Sequence, residues 1–284
     1  MSTYKRYQQA RDTAWRALLC LETKRLPVDA EALARQMGVE VLPYPDAGEE
    51  PRLSALLQAA GGGKCVSLRI RGAWHIFLRR EGLDGSGRRY AVAHELGHLL
   101  LSHETYRLAP GAWAFCSREN AGDLLEDPES VEDYAADIFA IRLLAPACLL
   151  HEMHVDTPAS VTRLCGLPPR AAALRAERME LLNQRDAFFS HPLERQVRDA
   201  FLPYLREKGL AGQPSGSAAG SRPAPPVPDA PLESPGKGGG KPERLQPVRR
   251  PPPAVTEKPA AKAWGWAVCA AAAGLALLLF FLLR

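Results

Sequence analysis

Apolar residues recur at helical spacing over residues 8–23, with Ala14, Leu18, Leu19 and Leu21 near one side, and the pattern breaks at Leu26-Pro27-Val28-Asp29. Asp29 can cap a second helix over 30–37, which Gly38 ends in the usual C-terminal glycine position. A short strand is predicted over 39–42, closed by Pro43 and Pro45. Alternation follows, with Val66, Leu68 and Ile70 inside 64–70 and Trp74, Ile76 and Leu78 inside 74–79. Arg71-Gly72-Ala73 between them reads as a tight turn, so the pair forms a hairpin. The second of these strands is either a sheet edge able to hold an extended peptide or an ordinary buried strand.

Helical spacing returns over 88–101, where Ala91, Val92, Ala93, Leu96, Leu99, Leu100 and Leu101 surround the few polar positions. The preceding Asp84-Gly85-Ser86-Gly87 supplies turn glycines and an N-cap candidate in Ser86. Residues 103–120, with Pro110, Gly111, Trp113 and Phe115, read as irregular: a surface loop or a cover over a cleft. A strong helix is predicted over 131–145, stopped by Pro146, then two helical segments within 158–183 joined at 165–169. A last amphipathic helix spans 192–205. Strands and helices in this order make an α+β domain.

Composition divides the 284 residues into three parts. Residues 1–205 have the mixed apolar and charged character of a globular domain. Over 206–262 the chain becomes Pro, Gly, Ala, Ser, Lys and Arg, which cannot bury enough surface to offset its ordering entropy, so a disordered basic linker is expected. Residues 263–283 are uncharged and predominantly apolar, and at 1.5 Å per residue they match a bilayer core of about 30 Å. With Trp264 and Trp266 at one end, residues 263–284 are expected to be a single transmembrane helix.

The cations Lys237, Lys241, Arg244, Arg249, Arg250, Lys258 and Lys262 precede this span and only Arg284 follows it. The positive-inside rule then keeps the folded domain on the cytoplasmic side of the cell membrane, and residues 1–9 contain no apolar segment of a signal peptide. The net charge of +4 is concentrated in the linker and reads as attraction to a membrane surface. Direct nucleic-acid binding is not expected, because Glu177 and Glu180 interrupt the basic face of Arg163, Arg170, Arg175 and Arg178. Cys20, Cys65, Cys116, Cys148, Cys165 and Cys269 form no C-x-x-C pair, so reduced thiols are expected, with Cys116 and Cys148 as minor alternatives for metal ligation.

The chemistry concentrates in His94-Glu95-Leu96-Gly97-His98, an H-E-x-x-H sequence. Histidines four apart stand on one helix face and can bind one Zn²⁺ at about 2.0–2.1 Å. Glu95 is then placed as general base toward a zinc-activated water. A catalytic zinc site needs a third protein ligand. His103 falls five residues after His98 rather than six, and Leu101 stands where the H-E-x-x-H-x-x-G-x-x-H pattern has glycine, so His103 reads as a helix C-terminal cap or a group behind a ligand. Asp133 and Asp137 share a helix face, with Ala136 and Ala140 leaving room for close approach. The first carboxylate can bind the metal while the second accepts a hydrogen bond from a ligand histidine. Glu132 competes with Asp133, and a solvated acidic helix start would explain Glu129, Glu132 and Asp133 without any metal.

The run Arg88-Arg89-Tyr90-Ala91-Val92-Ala93-His94-Glu95-Leu96-Gly97-His98-Leu99-Leu100, followed by Asp133-Tyr134-Ala135-Ala136-Asp137-Ile138-Phe139-Ala140 and Leu143-Leu144-Ala145-Pro146, resembles the ImmA/IrrE family of metallo-endopeptidases. That family carries an E-x-x-A-N/D-x-F-A-x-x-L-L-x-P helix after its H-E-x-x-H. The likeness covers about residues 10–185. It implies a zincin-like domain holding Zn²⁺ and cleaving an intracellular regulatory protein, often a helix-turn-helix transcriptional repressor. Asp133 stands where the family has its ligand glutamate. Being one methylene shorter, it requires either a closer helix or replacement by Glu132. The expected function is therefore a membrane-anchored zinc endopeptidase, and the alternative is a membrane-tethered regulatory binding protein with little or no proteolysis.

Overall fold

A computed structural model of the chain describes residues 3–45, 48–115 and 131–210. The expected linker beyond 210, the expected transmembrane helix, Cys116 and Cys269 lie outside the described residues. Helix α1 (Thr3–Cys20) begins five residues earlier than its apolar spacing suggests and buries Tyr7, Ala10, Ala14, Ala17 and Leu18. Helix α2 (Ala30–Gln36) is capped by Asp29, whose side chain accepts from the Ala32 N–H at 2.9 Å, and Gly38 follows at φ +73°.

Strand β1 (Glu40–Pro43) leads to α3 (Pro51–Ala59), a helix absent from the sequence reading. Strands β2 (Cys65–Ile70) and β3 (Ala73–Leu78) form the expected hairpin. Its turn residues Arg71 (φ +52°) and Gly72 (φ +90°) are both left-handed, which matches the twist of a two-residue hairpin. After α4 (Gly85–Leu100) come β4 (Thr105–Ala109) and β5 (Ala112–Phe115), an antiparallel hairpin where a loop or cleft cover was expected.

Among the described residues the strands form one sheet in the order β1-β3-β2-β5-β4. β1 runs parallel to β3, and the remaining pairs are antiparallel. β3 is therefore an interior strand, hydrogen-bonded on both sides, and its backbone is not available to an extended peptide. Alternation gives the sheet two apolar faces. Val66, Leu68, Phe77 and Ala114 pack with Leu57 and Ala60 at α3. Cys65, Ile76 and Leu78 face the main core, which also contains Tyr90, Val92 and Leu96 of α4.

Helix α5 (Val131–Leu144) ends before Pro146, and α6 (Ala147–Glu152) follows it. The stretch Val131–Glu152 is long and apolar enough to cross a membrane, but most of it is buried inside the protein, packed on α1 and α4. Helices α7 (Pro158–Cys165) and α8 (Pro169–Gln184) match the two expected segments. The last expected helix is two, α9 (Pro192–Ala200) and α10 (Leu202–Glu207), because Pro203 offers no N–H to continue the first.

Candidate metal centre

Helix α4 carries the H-E-x-x-H residues, and its two ends are closed by side chain and turn geometry. At the N-terminus the cap is Asp84 rather than Ser86: the Asp84 carboxylate accepts from the Gly87 N–H at 2.6 Å and from the Ser86 hydroxyl at 2.8 Å. The Gly87 N–H, and secondarily the Ser86 hydroxyl, hold the Asp84 carboxyl below its ordinary pKa. At the C-terminus, Ser102 turns left-handed at φ +55°, its N–H bonds the Leu99 carbonyl, and the His103 N–H bonds the His98 carbonyl. This is a Schellman closure with serine at the position usually held by glycine. Between these ends Tyr90, Ala91, Val92, Ala93, His94, Glu95, Leu96, Gly97 and His98 are all buried, so the helix runs through the interior.

Helix α5 lies across α4 at Gly97. A β-carbon at that position would stand 3.0 Å from the Ala136 Cα and 3.1 Å from the Phe139 ring. This approach brings Asp133 and Asp137, both buried on α5, to the two histidines of α4. His94, His98 and Asp133 each offer a ligand atom, and these atoms lie within 4.8 Å of one another. The His94 and His98 Nε2 atoms are 3.0 Å apart, and Asp133 Oδ1 is 3.3 Å from His98 Nε2. Glu132, half-buried on the same helix, stands outside this group.

The rear nitrogens of both imidazoles have partners. His94 Nδ1 lies 2.8 Å from Asp137 Oδ1, which also accepts from the Tyr90 hydroxyl at 3.2 Å. With its Nδ1 proton given to Asp137, a neutral His94 presents the Nε2 lone pair toward His98 and Asp133. Burial disfavours a charged His94, but the charge and hydrogen bond of Asp137, with the charges of Glu95 and Asp133, outweigh it, and the His94 pKa is raised. Burial raises the Tyr90 pKa well above its ordinary value, reinforced by the Asp137 charge. The hydroxyl therefore stays protonated as a donor. His98 Nδ1 meets His103 Nδ1 at 2.9 Å, and burial, then His98 and His94, push the His103 pKa down to about 3.

Two nitrogens and one carboxylate oxygen converging in a buried spot form a donor set suited to a metal ion. Glu95, next to His94 in the chain, is also buried. Burial raises the pKa of Cys65 on β2, and the Glu95 charge adds to it. Phe115 of β5 packs on the His98 ring at 5.3 Å between centroids and stacks on Trp74 at 4.5 Å. Cys148 is buried outside this group.

The sequence reading named both histidines, Glu95, Asp133 and Asp137 but missed Tyr90, Phe115 and Trp74. Tyr90 had a signal, standing four residues before His94 and hence on the same helix face. The two aromatics had none, because their placement depends on strand pairing. Fold and site thus define an α+β domain with a buried two-histidine, one-carboxylate cluster able to hold a metal ion. No family model matches the chain, and no curated protein matches it.

Proposed function

We propose that the chain is a zinc-dependent endopeptidase with a zincin-like domain of the ImmA/IrrE type, cleaving an intracellular regulatory protein at the cytoplasmic face of a membrane. The observation that carries this reading is the convergence of His94 Nε2, His98 Nε2 and Asp133 Oδ1, with Glu95 next to the first ligand on the same buried helix. Nitrogen and oxygen donors in a group of three suit catalytic zinc, which takes three protein ligands and a water. When bound, Zn²⁺ lowers the pKa of a water and polarises a peptide carbonyl.

The chain's own groups supply the rest. Asp137 holds the His94 ring in the tautomer that offers Nε2, with Tyr90 fixing the carboxylate in turn. Glu95 would act as general base toward the attacking water and return the proton to the departing amine. Phe115, stacked on Trp74, puts an apolar ring beside His98.

The test is a comparison of protein N-termini in cells carrying the wild type or Glu95→Gln. Fragments that vanish in the variant, while it still binds zinc, support the peptidase reading. An unchanged fragment set with a full cellular phenotype favours the tethered binding protein instead. The membrane location is tested by deleting residues 263–284, which should release the chain to the soluble fraction.

A further inference from the structure

The geometry points to His103 as a positioning residue for His98: its Nδ1 accepts the Nδ1–H of His98 and so turns the His98 Nε2 lone pair toward His94 and Asp133. This inference rests on the metal-binding part of the proposed function. The two Nδ1 atoms are 2.9 Å apart, so one must donate and the other accept. A neutral imidazole carries a single N–H. His98 Nε2 faces His94 Nε2 at 3.0 Å and Asp133 Oδ1 at 3.3 Å, which is the metal side. A ligand nitrogen there must keep its lone pair, which puts the His98 proton on Nδ1. His103 Nδ1 is then the acceptor, and the His103 proton sits on Nε2.

The backbone explains why the fifth residue after His98, and not the sixth, does this. The chain reverses at Ser102, and the His103 N–H closes on the carbonyl of His98 itself. The two rings are thereby held edge to face, 4.8 Å between centroids at 82°. His103 sits behind the ligand and is excluded from the group that faces the metal position. His94 is backed by an anionic carboxylate and His98 by a neutral ring. A carboxylate raises ligand basicity more than an imidazole does, so the two histidines are unequal donors.

Full-length protein titrated with Zn²⁺ and with Co²⁺ as spectroscopic probe tests this. His103→Ala should weaken zinc binding about 10-fold or more and shift the visible Co²⁺ bands. His103→Asn, whose amide oxygen occupies nearly the place of Nδ1, should restore most of both. Wild-type affinity and bands in His103→Ala overturn the inference. Should His103→Ala fail to fold, ¹⁵N-histidine NMR of the zinc-loaded wild type decides: protons on His98 Nδ1 and His103 Nε2 support it, and a proton on His103 Nδ1 overturns it. None of these readouts needs peptide cleavage. Zinc binding with this proton pattern and no cleavage removes the peptidase reading alone, whereas a wild type that binds no metal removes both.

Discussion

Gly97 and Ala136 meet without a side chain between them: a β-carbon on Gly97 would stand 3.0 Å from the Ala136 Cα and 3.1 Å from its carbonyl oxygen. Helices α4 and α5 therefore leave no space for a side chain at this crossing. This bears directly on the short carboxylate at the third-ligand position. Aspartate reaches less far than glutamate, and the close crossing brings Asp133 Oδ1 to 3.3 Å from His98 Nε2.

Gly97→Ala sets two opposing terms against each other. Alanine gains about 1 kcal/mol in helix propensity, but overpacking against backbone that cannot rotate away costs about 1–3 kcal/mol. The contact involves main-chain atoms of Ala136, so the second term should win, with a net loss of up to about 2 kcal/mol. Metal affinity should fall as Asp133 is pushed away. Denaturant unfolding and a zinc titration of the variant measure both, and wild-type values in each would remove the close-crossing argument.

The Tyr90–Asp137–His94 chain predicts graded losses. Tyr90→Phe removes one buried hydrogen bond, worth about 1 kcal/mol, and should weaken metal binding several-fold. Asp137→Asn alters the group that fixes the His94 ring and should cost about 10–100-fold in affinity. Competition with a chelator gives the ranking. A Tyr90→Phe effect as large as that of Asp137→Asn would contradict it.

Much of this arrangement was legible in the sequence, and the divide follows locality. Histidines four apart, the Asp29 cap and the Arg71-Gly72 turn are local features that neighbouring residues determine. The pairing of Asp133 with His98 is not local, and spacing alone left Glu132 open as its rival. Helix α3 was hidden by the surrounding Pro43, Pro45, Gly48 and Pro51, although Leu53, Leu56 and Leu57 carry helical spacing. The β4–β5 hairpin was hidden by Pro110-Gly111, although Tyr106 with Leu108 and Trp113 with Phe115 alternate on either side. The interior place of β3 depends on β1 returning parallel to it, which no local pattern announces.

Asp84 makes the stability of α4 depend on pH. Its carboxyl is held below the ordinary value of about 3.9 by the Gly87 N–H and the Ser86 hydroxyl. A depressed folded-state pKa contributes stability that is present above the unfolded value and lost as pH falls through the folded one. Asp84→Ala should cost about 1 kcal/mol near neutrality. That gap should narrow as the solution is acidified below about pH 4. A gap constant across this range in thermal unfolding would assign the cap no charge-dependent part.

Ser102 holds a left-handed backbone that costs an L-residue about 1–2 kcal/mol, while glycine returns part of that gain as chain entropy. Ser102→Gly should therefore stabilise the protein by up to about 1 kcal/mol and leave metal affinity unchanged, because His103 keeps its place. A loss of stability would mean that the Ser102 side chain contributes more than its backbone strain costs.

Joint ligation of one metal ion by His94, His98 and Asp133 is what the site predicts. Its most direct test is the zinc content of purified full-length wild type, Asp133→Ala and Glu132→Ala, measured by elemental analysis after dialysis. The prediction is one zinc per chain in the wild type and in Glu132→Ala, and a large loss in Asp133→Ala. Zinc retained by Asp133→Ala but lost from Glu132→Ala would contradict it.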